Sequence, residues 1–485
     1  MDATAPENRG NARFAMIRNL GLLGVGQVLT KGIAFIAFAA LARRLSRSDY
    51  GAVEYALGLS SFAWLIIDGG LGAVGVRRLS QRVASAGELA AQIPVAQMIL
   101  ALCVAPAMFL LAAFSAHDRT ALYLVAATSL SVLLLPFKQD WLFQARGQMS
   151  HVVVSQVIRM GVFMLIVVLA VRGDANTQLV GIAEIVSVAC TTGYLLLMQH
   201  LLVTPARLSF SREALIGLAR EGLPIGAGAI CWAATQFVPL FVLTPLAGME
   251  QTAYFGAAHR LGVSLVTFSW IYHFNLFPVI ARRIHSGGAH DDTLLRLSIR
   301  ITGWGGIGLA LALSLAAPRL LPLLFGQGFY RASIPFIILV WTFPLTLLSG
   351  HARWLLVAAE HAGDMLKSQA LGVVVALVAS AAFIPLLGAK GAAAAMTLAC
   401  VAVWLSSQFL ADRRGRHVPF KPCVAPMVAA AVVLTAARLT ALANPWLEAA
   451  AGSIAFAALG LIFDSSLRED LLWLAGRQRN VPAVT

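Results

Sequence analysis

Residues 366–411, LKSQALGVVVALVASAAFIPLLGAKGAAAAMTLACVAVWLSSQFLA, contain two apolar runs that are separated only by Ala389 and Lys390. The runs cover residues 366–388 and 391–411, and each is close to the ~20 residues with which an α-helix crosses about 30 Å of hydrocarbon. Lipid offers no water to the backbone, so every backbone polar group of a spanning segment must be paired internally. The stretch therefore predicts two membrane-spanning helices joined by a short turn.

Runs of this kind continue along the rest of the chain. Of its 485 residues, 59% are apolar and 12% are charged, and the mean hydropathy is +0.80. A soluble protein of this length needs more polar surface, so the composition predicts an all-α polytopic membrane protein with about fourteen transmembrane helices. The predicted spans are residues 17–42, 51–74, 88–114, 120–137, 151–171, 177–203, 216–245, 252–281, 294–317, 333–357, 366–388, 391–411, 422–442 and 448–464.

The basic residues between the runs predict the orientation of the chain, because Lys and Arg are retained on the cytoplasmic side. With the N-terminus in the cytoplasm, about 23 of these residues fall on the cytoplasmic side and about nine on the other. We therefore expect both termini in the cytoplasm. The outer cluster of Arg43, Arg44 and Arg47 departs from the pattern. The same assignment accounts for the formal net charge of +14 without a nucleic-acid partner.

The chain also resembles itself at an offset of about 206 to 210 residues. Residues 181–183 (GIA) match 391–393 (GAA), and residues 62–64 (FAW) match 268–270 (FSW). Two homologous helix bundles around a site at the membrane midplane are a common transporter design. The predicted domains are a six-helix lobe at residues 1–205, a second six-helix lobe at 206–411, and an additional helix pair with a cytoplasmic tail at 412–485.

Four cations lie inside the predicted spans. A charge at the bilayer centre costs about 2.5 kcal/mol or more, so each must face protein, water or an anion. Few acids lie at matching depth, which predicts an unpaired cationic cavity. Arginine binds phosphate by bidentate hydrogen bonds and lysine binds it as a point charge. The predicted phosphate-binding residues are Lys31, Arg159, Arg260 and Arg353. For Lys31 and Arg159 the alternative is snorkelling to the membrane interface.

Three acids inside the spans, Glu54, Asp68 and Glu184, are candidates for coupling-ion binding or gating. Asp68 precedes Gly69 and Gly70, so capping or bending of a broken helix is an equal alternative for it. Glu184 is a candidate proton or cation site. Neutral polar side chains also occur in the spans, where they bind sugar hydroxyls or join helices by hydrogen bonds, the second being the commoner role. They are Gln27, Gln97, Gln156, Gln236 and Asn275.

The sequence contains none of the motifs of hydrolases, zinc proteases, nucleotide-binding loops or dithiol redox proteins. Its five cysteines are widely separated, and four of them lie inside apolar runs. This spacing indicates neither a disulfide framework nor a metal site. We therefore expect a protein that is not an enzyme and that uses no metal or other cofactor.

Several stretches together carry a family resemblance. They are residues 42–51 (ARRLSRSDYG), 68–71 (DGGL), 77–80 (RRLS), 139–144 (QDWLFQ) with Met149, 254–261 (YFGAAHRL), and 325–329 (FGQGF) through 387–391 (LGAKG). In order and spacing they resemble the Wzx-type polysaccharide and O-antigen repeat-unit flippases of the multidrug/oligosaccharidyl-lipid/polysaccharide (MOP) exporter superfamily, up to about residue 411. Ala145 and Arg146 depart from the family, which has a glycine at the first of these positions.

The resemblance implies a V-shaped two-lobe transporter in the bacterial inner membrane, with a cationic central cavity. Its substrate would be an undecaprenyl-pyrophosphate-linked oligosaccharide, moved from the cytoplasmic to the periplasmic leaflet for O-antigen or exopolysaccharide synthesis. The partners implied are this lipid-linked substrate, membrane lipid, a proton or sodium ion that drives the cycle, and a polysaccharide polymerase with its chain-length machinery.

Three other functions remain open at this point. A flippase for lipid II, the peptidoglycan precursor, would share the helix count and the cationic cavity, but residues 140–144 (DWLFQ) argue against it. A MATE-like drug or cation antiporter would select its substrate with acids, whereas four cations here accompany three acids. A membrane glycosyltransferase or polymerase would need acids on a large outer loop. The longest predicted outer loop, at residues 318–333, has only about fifteen residues.

Overall fold

The computed structural model is helical along almost its whole length. It describes residues 7–115, 118–203, 205, 208–285, 293–440 and 444–474. No β-strand occurs in these ranges, as expected for a chain whose backbone hydrogen bonds must be satisfied without water. The predicted all-α class is confirmed. The predicted cytoplasmic location of the two termini concerns residues 1–6 and 475–485, which lie outside the described residues.

Seventeen helices follow one another with short connections. They are α1 (Glu7–Arg44), α2 (Arg47–Asp68), α3 (Leu71–Ser80), α4 (Ala86–Ser115), α5 (Arg119–Val132), α6 (Asp140–Ala145), α7 (Met149–Ala170), α8 (Gln178–Leu202), α9 (Arg212–His285), α10 (Thr293–Phe325), α11 (Ser333–Leu339), α12 (Thr342–Ala358), α13 (Ala362–Leu387), α14 (Ala389–Arg413), α15 (Lys421–Thr440), α16 (Pro445–Phe463) and α17 (Ser465–Leu474). This count applies to the described residues.

Thirteen helical stretches of the described chain are long and apolar enough to cross a membrane. One of them, Arg212–Phe277, has 66 residues and would be about 100 Å long as a straight helix, roughly three times the hydrocarbon thickness. Its helix, α9, is broken at Gly248, whose φ of 82° and ψ of 174° are not helical. Glycine adopts such a conformation without steric cost. Counting the two parts of α9 separately gives fourteen spans, which confirms the predicted number.

The second span ends in a sharp turn. α2 stops at Asp68, and Gly69 and Gly70 follow with φ values of 49° and 79°. Both values lie in the left-handed region, which a glycine enters without the steric penalty of a Cβ. The chain then starts the short helix α3. The sequence predicted one continuous span at residues 51–74, and the glycine pair explains why the helix changes direction inside it.

The chain divides into two compact units, Met1–Ala253 and Tyr254–Thr485. In the first unit, the two short helices α3 and α6 pack against α4 around a buried cluster that includes Val74, Ile93 and Trp141. In the second unit, α15 and α16 pack against α10 around Trp304, Leu311 and Phe456. The predicted lobes at residues 1–205 and 206–411, with a helix pair at 412–485, stay a prediction.

Candidate functional site

Two contacts fix the register of α1 against α7 in the first unit. Gln27 Nε2 donates a hydrogen bond to Gln156 Oε1 over 3.2 Å. Further along both helices, Arg44 Nη1 donates to the carbonyls of Val168 and Val171 over 2.7 and 2.8 Å. Because the contacts follow the same order along both helices, α1 and α7 run parallel. The two glutamines thus join helices, as was expected of polar side chains in the spans.

The register places two of the predicted cations at the same level. Lys31 lies about one helical turn beyond Gln27, and Arg159 lies about one turn beyond Gln156. Both side chains are half-buried. The structure therefore brings Lys31 and Arg159 to one region of the first unit, between α1 and α7.

Arg159 has an acidic partner. Its Nη2 lies 2.6 Å from Oε1 of Glu184 on α8, and the Glu184 side chain is only 3% exposed whereas that of Arg159 is 33% exposed. The expectation of an unpaired cation is therefore wrong for Arg159, because a carboxylate buried this deeply needs a compensating charge. Arg159 Nε is buried and has no hydrogen-bond partner among the described residues, so the guanidinium retains donor capacity beyond the ion pair.

The outer arginine cluster that departed from the topology pattern has local roles. Arg44 donates to the last carbonyls of α7, which have no partner within their own helix. Arg47 lies 3.7 Å from the carboxylate of Glu250. A cation at a helix C-terminus also interacts favourably with the helix dipole. These contacts give Arg44, at the end of α1, and Arg47, at the start of α2, a structural function that is independent of membrane orientation.

Asp68 caps the turn between α2 and α3. Its carboxylate accepts hydrogen bonds from the backbone N–H groups of Gly70 and Gly72 over 3.3 Å each, and from Gln97 Nε2 over 3.3 Å. The capping alternative is thus present in the structure, while ion binding at Asp68 stays a prediction. Glu54 is buried in α2, with 5% of its surface exposed, and its coupling role also stays a prediction.

The turn after Asp68 packs directly on the first part of α9. A Cβ added to Gly226 would lie 2.9 Å from the Gly69 Cα and still closer to its carbonyl group. Gly70 meets Gly222 and Gly226 in the same way. Small residues four apart are the usual means by which helix backbones approach closely in membranes. The glycines of both segments therefore serve this contact.

Ion pairs also join α3 to the first part of α9. Arg77 and Arg78 of α3 both bind the carboxylate of Glu221, with Arg78 Nη2 2.7 Å from Oε1. The hydrogen bond to Glu221 raises the pKa of Arg78, so this guanidinium stays charged at every physiological pH. Exposed ion pairs contribute little individually. Together with the glycine contact they fix α3 to α9.

Gly226→Ala should lower the free energy of unfolding by about 1–3 kcal/mol, because the added methyl group overpacks the contact with Gly69. The measurement is thermal unfolding of the purified protein in detergent. Gly193→Ala in α8 is the matched control, since no atom lies within 4 Å of a Cβ at that position. The control should be neutral or stabilising by about 0.5–1 kcal/mol. Equal effects of the two substitutions would show that the glycine contact does not stabilise the unit.

The other two predicted cations belong to the second unit. Arg260 is half-buried in the second part of α9. Arg353 is half-buried in the C-terminal half of α12, a helix without any Asp or Glu. Within the part of the chain that the structure describes, Arg353 Nε is buried and has no hydrogen-bond partner. A guanidinium in this position keeps donors that a bound anion can satisfy.

Beside Arg353 lies a polar network that the sequence analysis did not identify. Ser298 Oγ of α10 lies 2.8 Å from His351 Nε2 of α12, and the Tyr272 hydroxyl is hydrogen-bonded to Ser298 Oγ. The ring of His273 packs on that of His351, with centroids 5.1 Å apart and planes at 80°. Both histidines are almost completely buried. The sequence contained one indication of this network, namely that His273 and His351 lie inside the predicted spans 252–281 and 333–357.

Comparison with solved structures identifies the fold. A lipid II flippase, MurJ, in its inward closed conformation matches with a TM-score of 0.72 and 12% identity over 93% of this chain and 99% of that one. An inward-facing multidrug resistance MATE family transporter of the MOP superfamily matches with a TM-score of 0.59 and 16% identity over 80% of this chain and 94% of that one. A MOP superfamily transporter from Pyrococcus furiosus matches with a TM-score of 0.50 and 15% identity, over 82% of this chain and 95% of that one.

The chain is therefore a multi-pass membrane protein with the fold of the MOP superfamily transporters. A family model described as polysaccharide biosynthesis protein matches residues 16–284, which is more than half of the chain. The chain belongs to this family, and the predicted family resemblance is confirmed. No curated protein matches the sequence.

Proposed function

We propose that this protein is a flippase that moves undecaprenyl-pyrophosphate-linked oligosaccharide repeat units across the bacterial inner membrane, from the cytoplasmic to the periplasmic leaflet. Membership of the polysaccharide biosynthesis family supports the oligosaccharide, and the MOP fold supports transport rather than catalysis. The cations inside the spans support a lipid pyrophosphate as the substrate. The charged pyrophosphate is the part of such a lipid that costs the most free energy to move through hydrocarbon.

The observation that carries the proposal is Arg353. This guanidinium sits inside an apolar helix without acids, and its buried Nε has no partner within the described ranges. A charge held at this depth is functional by default, because the free energy of placing it there must be offset. A pyrophosphate group supplies both the opposite charge and the acceptors that a guanidinium fork requires.

The remaining cations extend the proposal to the first unit and to α9. Lys31 and Arg159 lie at one level of the α1–α7 pair, and Arg159 is paired with Glu184. We propose that they and Arg260 take part in binding the headgroup as the transporter alternates between its two faces. Glu54, Asp68 and Glu184 are the proposed coupling or gating groups, with a proton or sodium ion as the coupling ion. The polymerase and chain-length partners, and the cytoplasmic location of both termini, belong to the same proposal.

The test is the sidedness of a labelled lipid-pyrophosphate oligosaccharide in proteoliposomes. Protein-dependent movement of an O-antigen-type unit to the opposite leaflet is the expected result. Liposomes without protein are the control for leakage. Equal movement with and without the protein would contradict the proposed function.

A lipid II flippase is the second candidate, favoured by the likeness to a solved lipid II flippase over nearly the whole of both chains. Lipid II carries the same pyrophosphate, so the cations fit either substrate. The same assay separates them, since lipid II moves and the repeat unit does not if this second candidate is correct.

A cation or drug antiporter fits less well, although MATE transporters share the fold. An antiporter needs acids that are free to bind cations. Here Glu184 is paired with Arg159 and Asp68 is engaged by two backbone N–H groups. These two acids therefore already have partners. The guanidinium of Arg353 is positively charged and only donates hydrogen bonds, so it binds an anion and repels a cation.

A further inference from the structure

The tautomer of His273 can be read from its hydrogen bond. Nδ1 lies 2.7 Å from the carbonyl oxygen of Ser269, and a carbonyl only accepts. Nδ1 therefore carries the hydrogen of the neutral ring, which leaves Nε2 as its basic nitrogen. The backbone of Leu347 also interacts with this ring. Nε2 is buried and has no donor among the described residues. A buried basic nitrogen without a donor is a site that a proton can occupy.

A glycine on α12 allows Nε2 of His273 to approach that helix closely. The Cε1–Nε2 edge of His273 lies against Gly350, where any Cβ would collide with the ring. Arg353 follows Gly350 by one turn of the same helix, which places the two residues on one face of α12. The proton-accepting nitrogen and the unpartnered guanidinium thus belong to one region of the second unit.

A series of hydrogen-bonded side chains leads from the half-buried Tyr272 towards His273. It runs from the half-buried Tyr272 hydroxyl through Ser298 Oγ to His351 Nε2. His351 then packs on His273. The contact between His351 and His273 is an edge-to-face ring contact and not a hydrogen bond. Tyr272, Ser298 and His351 each carry a group that both donates and accepts, so a proton can be passed along the hydrogen bonds as far as His351.

Several charged groups on the described parts of the helices near the cluster have partners of their own. On α10, Arg300 follows Ser298 but is paired with Asp470 of α17. On α13, Asp364 is paired with Lys367 and Arg414. On α14, Cys400 lies near Arg353. Among these groups, Arg353 is the one whose buried Nε has no hydrogen-bond partner in the described ranges.

We propose that His273 is a proton-binding site that fills when an anionic headgroup binds at Arg353. Without an anion, two positive charges in one apolar region repel each other. An anion at Arg353 removes that repulsion, so proton and anion favour each other's binding by the same factor. The proposal rests on the proposed function, since it assumes that Arg353 binds the pyrophosphate. It assigns a proton as a ligand of the second unit, apart from the acids of the first.

The test is calorimetric titration of the full-length protein in lipid nanodiscs with farnesyl pyrophosphate, a short prenyl pyrophosphate. Titrations in two buffers of different ionisation enthalpy give the number of protons taken up for each probe bound. At mildly acidic pH the wild type should take up more protons than His273→Gln, with a difference of up to one per probe. His200→Gln, at an exposed position on α8, is the control and should behave like the wild type.

The outcomes separate this proposal from the proposed function. If the wild type and His273→Gln bind the probe with equal proton uptake, the proton site is wrong and the anion site stands. If the wild type does not bind the probe, the proposed function fails and this proposal fails with it.

A second measurement needs no variant and applies if His273→Gln does not fold. The affinity of the wild type for the probe, corrected for the probe's own ionisation, should fall by up to tenfold for each unit of rising pH. An affinity independent of pH would overturn the proposal.

Discussion

Arg353→Gln should reduce the rate of movement of a lipid-pyrophosphate oligosaccharide in proteoliposomes by about tenfold to a hundredfold. A hydrogen bond to a charged group contributes about 1.5–3 kcal/mol, and each 1.4 kcal/mol corresponds to a factor of ten. Arg353→Lys keeps the charge but loses the planar fork, so its rate should lie between those of the wild type and Arg353→Gln.

The control for this experiment is Arg438→Gln, at the exposed end of α15. It removes the same charge outside any site and should transport at the wild-type rate. All variants should be present in the membrane in equal amounts, since the buried Nε of Arg353 has no hydrogen-bond partner among the described residues that its loss would leave unsatisfied. A wild-type rate for Arg353→Gln would rule out a role for this residue in headgroup binding.

Arg159→Met should lower the free energy of unfolding by about 2 kcal/mol or more, because it leaves the carboxylate of Glu184 buried without a counter-charge. The estimate is below that for a fully buried pair because a third of the Arg159 side chain is exposed. Glu184→Met removes the buried charge itself and should have a smaller effect. The measurement is thermal unfolding of the purified protein in detergent.

The double variant Arg159→Met/Glu184→Met decides whether the two residues act as a pair. If they do, the double variant should be more stable than Arg159→Met alone, since apolar side chains of similar volume often replace a buried ion pair without loss. Additive losses would contradict the pairing. Transport by the Glu184→Gln variant with an unchanged pH dependence would further show that Glu184 is a structural partner of Arg159 and not a coupling group.

The helical fold was largely predictable because a backbone in lipid has few ways to satisfy its hydrogen bonds. Apolar runs of about twenty residues can satisfy their backbone only as helices. The break in α9 was also predictable, since a single helix from residue 212 to 277 would be far longer than a bilayer is thick. Gly248, between the predicted spans 216–245 and 252–281, lies where the sequence required a connection.

The short helices were not predictable by the same argument. α3 and α6 are too short to span a membrane, and hydropathy merged them with neighbouring runs. Only the Gly69–Gly70 pair marked the end of α2, and the sequence did not indicate which distant helix its backbone would approach. That the partner is Gly222 and Gly226 depends on packing across about 150 residues.

The sequence showed which charged residues lie inside the spans, but it did not show which of them form ion pairs. A count of cations and acids in the spans identified Arg159 and Glu184 separately, yet their ion pair depends on the rotation of α7 against α8. Arg353 was identified as a candidate because it lies inside the predicted span 333–357, and the structure places it in a helix without Asp or Glu. The histidine network escaped prediction because each histidine is unremarkable on its own helix, and only the packing of α9 on α12 brings His273 and His351 together.

The contact between Arg44 and α7 also bears on how the protein is made. The carbonyl of Val168 that Arg44 binds is 124 residues further along the chain. At a synthesis rate of about 5–20 residues per second, this carbonyl is made roughly 6–25 s after Arg44. During that interval the arginine must stay hydrated at the end of the first helix. Docking of α1 on α7 is therefore a late event in the assembly of the first unit, separate in time from the insertion of α1.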